Sequence, residues 1–195
     1  MKINRLVQIK PNNLKPAKGR LLLSEPFMGD YYFGRAVILL AEHNPEGSFG
    51  LILNKPVSRM LNEVTEDFPE LDIPLFLGGP VDPGRLFFIH TLGDEIGDST
   101  QVLKGLYWGG NMEDILELAR LKRLTPENSR FFIGYSGWGA RQMKEELNRN
   151  SWAIVTASAD IIFKTKADEL WKKLTRKLGR DYRLWDKFPN NPNLN

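Results

Sequence analysis

Ser136 lies in the segment GYSGWGARQ (134–142), where an apolar run passes through three glycines into helix-forming residues. A serine nucleophile on a strained strand-to-helix turn takes the pattern Gly-x-Ser-x-Gly. Gly134 and Ser136 fit it, and Trp138 stands in the second glycine's place. Hydrolysis would also need a base for the hydroxyl, and the chain holds two histidines, His43 and His90. The same segment suits an anion instead: glycines leave backbone N–H groups open, a helix begins, Arg141 adds a cation, and Trp138 offers a flat face for a ring. A tight glycine turn with Trp138 packed over it explains the residues with fewer requirements.

A second candidate is LAEHNPEGSFGLILNKP (40–56), which sets Glu42, His43 and Asn44 between two runs of strand-forming residues. The trio reads either as a site or as the polar connection of a hairpin, for Asn44-Pro45-Glu46-Gly47 has the chemistry of a type I turn. Metal binding has less in its favour, because the chain has no cysteine and its histidines stand 47 positions apart, with no i, i+4 pair. No phosphate-binding glycine loop, zinc finger or aromatic RNA-binding strand is present.

The elements that would carry these residues follow from apolar patterning. Residues 19–26, 35–41, 48–54, 101–108, 130–135 and 151–157 predict strands, and 74–90 predicts a strand pair around an Asp82-Pro83-Gly84 turn. Helices are expected at about 59–67 with Ser58 as cap, from Asn111 to about 122, and at about 139–149. Ala167, Leu170, Trp171, Leu174 and Leu178 mark an amphipathic C-terminal helix. Hairpins combined with crossover helices imply an α+β fold: a mixed, largely antiparallel β-sheet with flanking helices.

Length and composition suit one globular domain, with 195 residues, 42% hydrophobic and 26% charged. The net charge of +3 is concentrated in residues 164–187, which hold nine Lys/Arg against four Asp/Glu. Such a run is most often the solvated face of a helix. The absence of cysteine fits a reducing compartment, and neither a leader pattern nor an apolar run of membrane-spanning length is visible. A cytoplasmic protein without a membrane segment is expected. The last eight residues, FPNNPNLN, are expected to lie extended on the surface.

Taken in order, GRLLLSEPFMGDYYFGRAVILLAEHNPEGSFGLILNKP, GGPVDPGRLFFIH and GYSGWGARQMKEEL resemble the AlgH/YqgE family of bacterial proteins. The resemblance implies a small cytosolic α+β protein, with no established reaction, whose relatives carry the label of transcriptional regulator. Their genes often neighbour one for a protein like a Holliday-junction resolvase. The family signature falls on Asp30, Phe33 and Arg35, on Glu42, His43, Asn44 and Gly47, and on Asn54 and Pro56. It continues through Gly79, Pro80, Val81 and His90 to Gly137, Trp138 and Gln142. Ser136 stands where the family usually has alanine, and Arg141 where it usually has glycine.

The expectation is a noncatalytic binding or regulatory protein. Its surface would be drawn from Arg35, Glu42, His43, Asn44, Asn54, Gly79, Pro80, His90, Gly137, Trp138, Arg141 and Gln142. The alternatives are a hydrolase-like enzyme using His43 or His90, and an accessory protein of nucleic-acid metabolism. No cofactor is implied. The expected partner is a protein or a small anionic ligand, and nucleic acid has only the basic C-terminal helix in its favour. Residues 1–163 would form the family domain, with the helix and tail of 164–195 packed on it.

Overall fold

The computed structural model describes residues 14–179 together with Tyr182 and Trp185. The expected surface tail FPNNPNLN lies outside the described residues. The strands are β1 (Leu21–Ser24), β2 (Val37–Asn44), β3 (Gly47–Ile52), β4 (Pro56–Met60), β5 (Pro74–Leu77), β6 (Val81–His90), β7 (Thr100–Leu103), β8 (Leu106–Trp108), β9 (Ser129–Gly139) and β10 (Trp152–Val155). The helices are α1 (Met112–Arg120), α2 (Gln142–Asn148), α3 (Ala159–Lys164) and α4 (Ala167–Lys177).

All ten strands join one open sheet in the order β10-β1-β2-β3-β9-β6-β8-β7, with β4 and β5 as a side branch on β9. The pairings are antiparallel except β5 on β9, so the fold is the expected α+β class. The apolar runs LLLS and VILLA are buried at every position, which requires cover on both faces of the sheet. On one face, α3 and α4 pack Ile162, Leu170, Trp171 and Leu174 against Leu21, Leu23, Val37 and Leu39. On the other, Met143 of α2 and Trp138 lie over Leu22, Ile38 and Ile154, while Ile115 and Leu118 of α1 cover Leu75, Phe88 and Phe131.

Several elements differ from the sequence expectation. The helix expected near 59–67 is strand β4 followed by a single 3-10 turn at Leu61–Glu63. Of its intended apolar face only Leu61 is buried, with Met60 and Val64 exposed, and a short helix without a buried face does not hold. The single strand expected at 101–108 is the β7–β8 hairpin. The strand pair expected over 74–90 is split: β5 and β6 lie on opposite edges of β9 and do not pair with each other.

The largest difference is β9 itself, which continues past Tyr135 to Gly139. GYSGWG is therefore strand, not a loop, with Ser136 to Gly139 paired to Gly50 through Gly47. Gly134 and Gly79 make this possible where the β5–β6 corner crosses β9. Gly134 has φ +66, and a Cβ there would stand 2.6 Å from the Gly79 carbonyl oxygen. A Cβ on Gly79, at φ +155, would stand 2.3 Å from the Tyr135 backbone. Neither position admits an L side chain without moving backbone.

Helix α4 is the expected C-terminal amphipathic helix. Its Trp171 donates its indole N–H to the Ser24 carbonyl oxygen at 3.1 Å and stacks on Trp185 at 6.0 Å between ring centroids. Because Leu174 is fully buried under β1 and β2, Leu174→Ala should lower unfolding free energy by about 2–5 kcal/mol. Urea denaturation followed by tryptophan fluorescence measures this.

Candidate functional site

At the tip of the β2–β3 hairpin, Asn44 Oδ1 accepts from the N–H groups of Glu46 and Gly47, both at 3.0 Å. This side-chain turn closes the hairpin and uses Asn44 structurally. His43 Nδ1 lies 2.7 Å from Ser48 Oγ across the same hairpin. Glu42, next to the register shift between Leu40 and Glu42, and Glu46 both project from the tip as exposed carboxylates.

Beside the tip lies a cluster of rings. Phe49 stacks on Tyr135, with ring centroids 4.7 Å apart and planes at 26°, and touches Trp108 at 4.7 Å and Phe87 at 5.4 Å. Gly137 pairs with Phe49, and a Cβ on Gly137 would come within 3.1 Å of the Tyr135 ring. The missing side chain is what lets Tyr135 lean across onto Phe49. Together these groups form an open pocket of about 520 Å³ whose walls include Glu42, Glu46, Ser48, Phe49 and Tyr135.

Other signature residues brace the fold elsewhere. Asn54 continues the ladder beyond β3: its Oδ1 accepts from Val37 N–H at 2.8 Å and its Nδ2 donates to Arg35 O at 2.9 Å. That bridge holds Arg35 at φ +50, with its guanidinium 5.1 Å above the Trp171 ring. Asp30 Oδ1 accepts from Tyr32 and Phe33 N–H. Lys55 donates to Gly34 O at 2.7 Å, and burial pulls its pKa down against the opposing charge of Asp30. Buried Gly79 and exposed Pro80 form the β5–β6 corner.

His90 is fully buried on β6. Its Nδ1 accepts from Leu92 N–H at 3.3 Å, while Nε2 lies 3.2 Å from Gly109 O and 3.1 Å from Ser99 Oγ. Neutral imidazole with its proton on Nε2 satisfies both ring nitrogens. Burial lowers its pKa, and the Gly109 bond opposes the shift in part.

Ser136 has no exposed surface, and its Oγ donates to Gly78 O at 3.0 Å. Among the described residues, neither histidine hydrogen-bonds to it. Trp138 is 5% exposed and donates its indole N–H to Glu146 Oε2 at 2.9 Å. Trp152 donates to that same oxygen at 2.7 Å, and Gln142 Nε2 donates to Glu146 Oε1 at 2.9 Å. Glu146 therefore joins β9, β10 and α2, a role with no signature in linear spacing. Arg141 is exposed at the start of a seven-residue helix.

Glu42, Asn44, Gly137 and Trp138 thus meet at the hairpin pocket, whereas Arg35, Asn54 and His90 take part in separate local networks. Fold and site define a class: a mixed α+β protein whose signature residues mostly secure an open sheet, with one acidic, aromatic-walled pocket at a hairpin. The chain matches the AlgH-like family over residues 21–183, and it belongs to that family. It is 40% identical over 192 residues to a UPF0301 protein of Parabacteroides distasonis, covering 97% of each. It is also 40% identical over 197 residues to one of Bacteroides fragilis, covering 100% of each. The solution structure of the AlgH protein from Pseudomonas aeruginosa shares its fold at TM-score 0.71 and 29% identity, covering 93% of this chain and 98% of that one. A crystal structure of a Corynebacterium diphtheriae protein matches in fold at TM-score 0.77 and 22% identity, covering 96% of this chain and 100% of that one.

Two outcomes test this division of roles. Glu146→Ala leaves two indole donors without their carboxylate and should cost about 2–4 kcal/mol in chemical denaturation. For His90, the folded pKa lies below the ordinary value of 6.5, so as pH falls below that value the unfolded chain takes up the proton first. Stability should therefore drop as pH falls from 6.5 toward the folded pKa. Urea midpoints between about pH 7.5 and about pH 5.5 should fall less in His90→Gln than in the wild type.

Proposed function

We propose that this protein is a noncatalytic binding protein that docks a partner protein through the hairpin pocket, receiving a lysine or arginine side chain of the partner. The observation that carries this reading is the pairing of two exposed carboxylates, Glu42 and Glu46, with the stacked rings of Phe49 and Tyr135 in one open pocket. Carboxylates beside aromatic faces are the chemistry that receives an ammonium or guanidinium group. The same carboxylates repel an anion, so the small anionic ligand has less support here.

Binding is favoured over hydrolysis because Ser136 is sealed and bonded to Gly78, while both ring nitrogens of His90 are engaged. Regulation, or an accessory role in nucleic-acid metabolism, would pass through the docked partner in the cytoplasm. Direct reading of DNA by α4 is disfavoured by Asp168 and Glu169 in its first turn. No helix among the described residues is long and apolar enough to cross a membrane.

Charge reversal tests the reading. Titration of the full chain with an arginine-containing peptide should quench Tyr and Trp emission saturably and weaken as salt is raised. Glu42→Lys with Glu46→Lys should abolish the response at an unchanged melting temperature, since both side chains are exposed. Equal binding by the wild type and the double variant would refute docking at this pocket.

A further inference from the structure

Arg130 opens the apolar strand segment RFFIGY, yet it is 6% exposed. Its guanidinium lies 4.7 Å from the Phe76 ring centroid and 5.6 Å from that of Phe163. Nη1 donates to Leu53 O at 2.9 Å and Nη2 to Ile162 O at 3.0 Å. These bonds tie β9 to the end of β3 and to the last turn of α3. They use two of the five N–H donors of a guanidinium.

A tie of this kind spends two donors and leaves the charge. Carbonyl dipoles and ring faces offset part of the cost of burying a cation, and the remainder calls for an anion. Among the described residues, no carboxylate forms an ion pair with Arg130. Burial accordingly lowers its pKa to about 10.

Arg130 borders a pocket of about 230 Å³, on which Ser129, Thr165, Lys164 and Lys166 also open. Two lysines and the arginine there face one acidic wall residue, Glu127. Lys164 also reaches Asp160 at 2.9 Å, an exposed i, i+4 pair of little strength. Helix α4 starts at the pocket, and its N-cap Lys166 supplies no side-chain cap, so the first-turn N–H groups add positive potential. Asp168 and Glu169 of that turn are exposed and lower the net attraction without occupying the pocket wall.

We infer that this pocket binds the phosphate group of a small ligand, with Arg130 as buried anchor and Lys164, Lys166 and the start of α4 closing around the oxygens. A phosphate offers several acceptors and up to two negative charges, which match the unspent guanidinium donors and the lysine pair better than a single carboxylate does. The volume admits inorganic phosphate or the phosphate of a compact sugar phosphate. The site is separate from the hairpin pocket, and its occupancy does not depend on the proposed docking there.

The test uses the full-length ¹⁵N-labelled protein and follows the Arg130 Nε–Hε resonance during titration. Inorganic phosphate and ribose 5-phosphate are the two probes, with chloride at matched ionic strength as control. A saturable shift with phosphate but not chloride is expected, at unchanged fold. The surface variant Lys164→Ala with Lys166→Ala should bind about tenfold more weakly, and Arg130→Lys, which keeps the charge but loses the fork, should abolish the shift of the neighbouring Ser129 amide. Tighter binding of ribose 5-phosphate supports a phosphorylated metabolite as the source, and equal binding supports free phosphate. The inference is overturned by no saturable shift up to about 20 mM phosphate, by an identical response to chloride, or by undiminished affinity in the double lysine variant, whose exposed side chains are not needed for folding.

Discussion

Eleven residues of β9 run through the middle of the sheet, and the buried N–H and C=O groups along them need partners on both edges. β6 lies along one edge from Ser129 to Tyr135. On the other, β5 pairs with Phe131 to Ile133, and β3 then takes over from Ser136 to Gly139. The junction is sealed where the Ile52 N–H donates to the Gly78 carbonyl. That division brings the β2–β3 hairpin, the glycine corner and α2 together around one strand. Ser136 is consumed in the same junction, since its hydroxyl secures Gly78.

The two ends of β9 carry opposite chemistry. Near its C-terminal end, Tyr135 and the bare backbone of Gly137 make room for stacked rings beside Glu42 and Glu46. Near its N-terminal end, Arg130 brings a buried cation beside Lys164 and Lys166. The net charge of +3 conceals this separation, and local potential matters more than total charge in selecting what approaches each pocket. An acidic pocket and a basic one on the same strand suit two different occupants.

Much of the fold was legible in the sequence because the rules involved are local. LLLS and VILLA are too apolar for any position but a covered strand, Asn111 accepts from Glu113 N–H as the cap of α1, and Leu170, Trp171 and Leu174 recur at helical spacing on α4. The helix expected at 59–67 failed because only Leu61 of its apolar face is buried. Another difference has its own cause. Glycines at 134, 137 and 139 suggested a turn, but here Gly134 lets neighbouring backbone approach a strand and Gly137 lets the Tyr135 ring do so.

The sequence by itself determined the strand-rich α+β class, the C-terminal amphipathic helix, the hairpin at Asn44–Gly47 and, through three motifs in order, the family. Each of these depends on residues near one another in the chain. Tertiary structure decided what the polar residues do. Glu146 binds two indoles from β9 and β10, Asn54 stands in for a ladder bond to β2, and Arg130 reaches carbonyls 77 and 32 positions away. A carboxylate, amide or guanidinium has the same local propensities whether it braces the fold or faces a ligand. Its partners are chosen only when strands distant in sequence become neighbours.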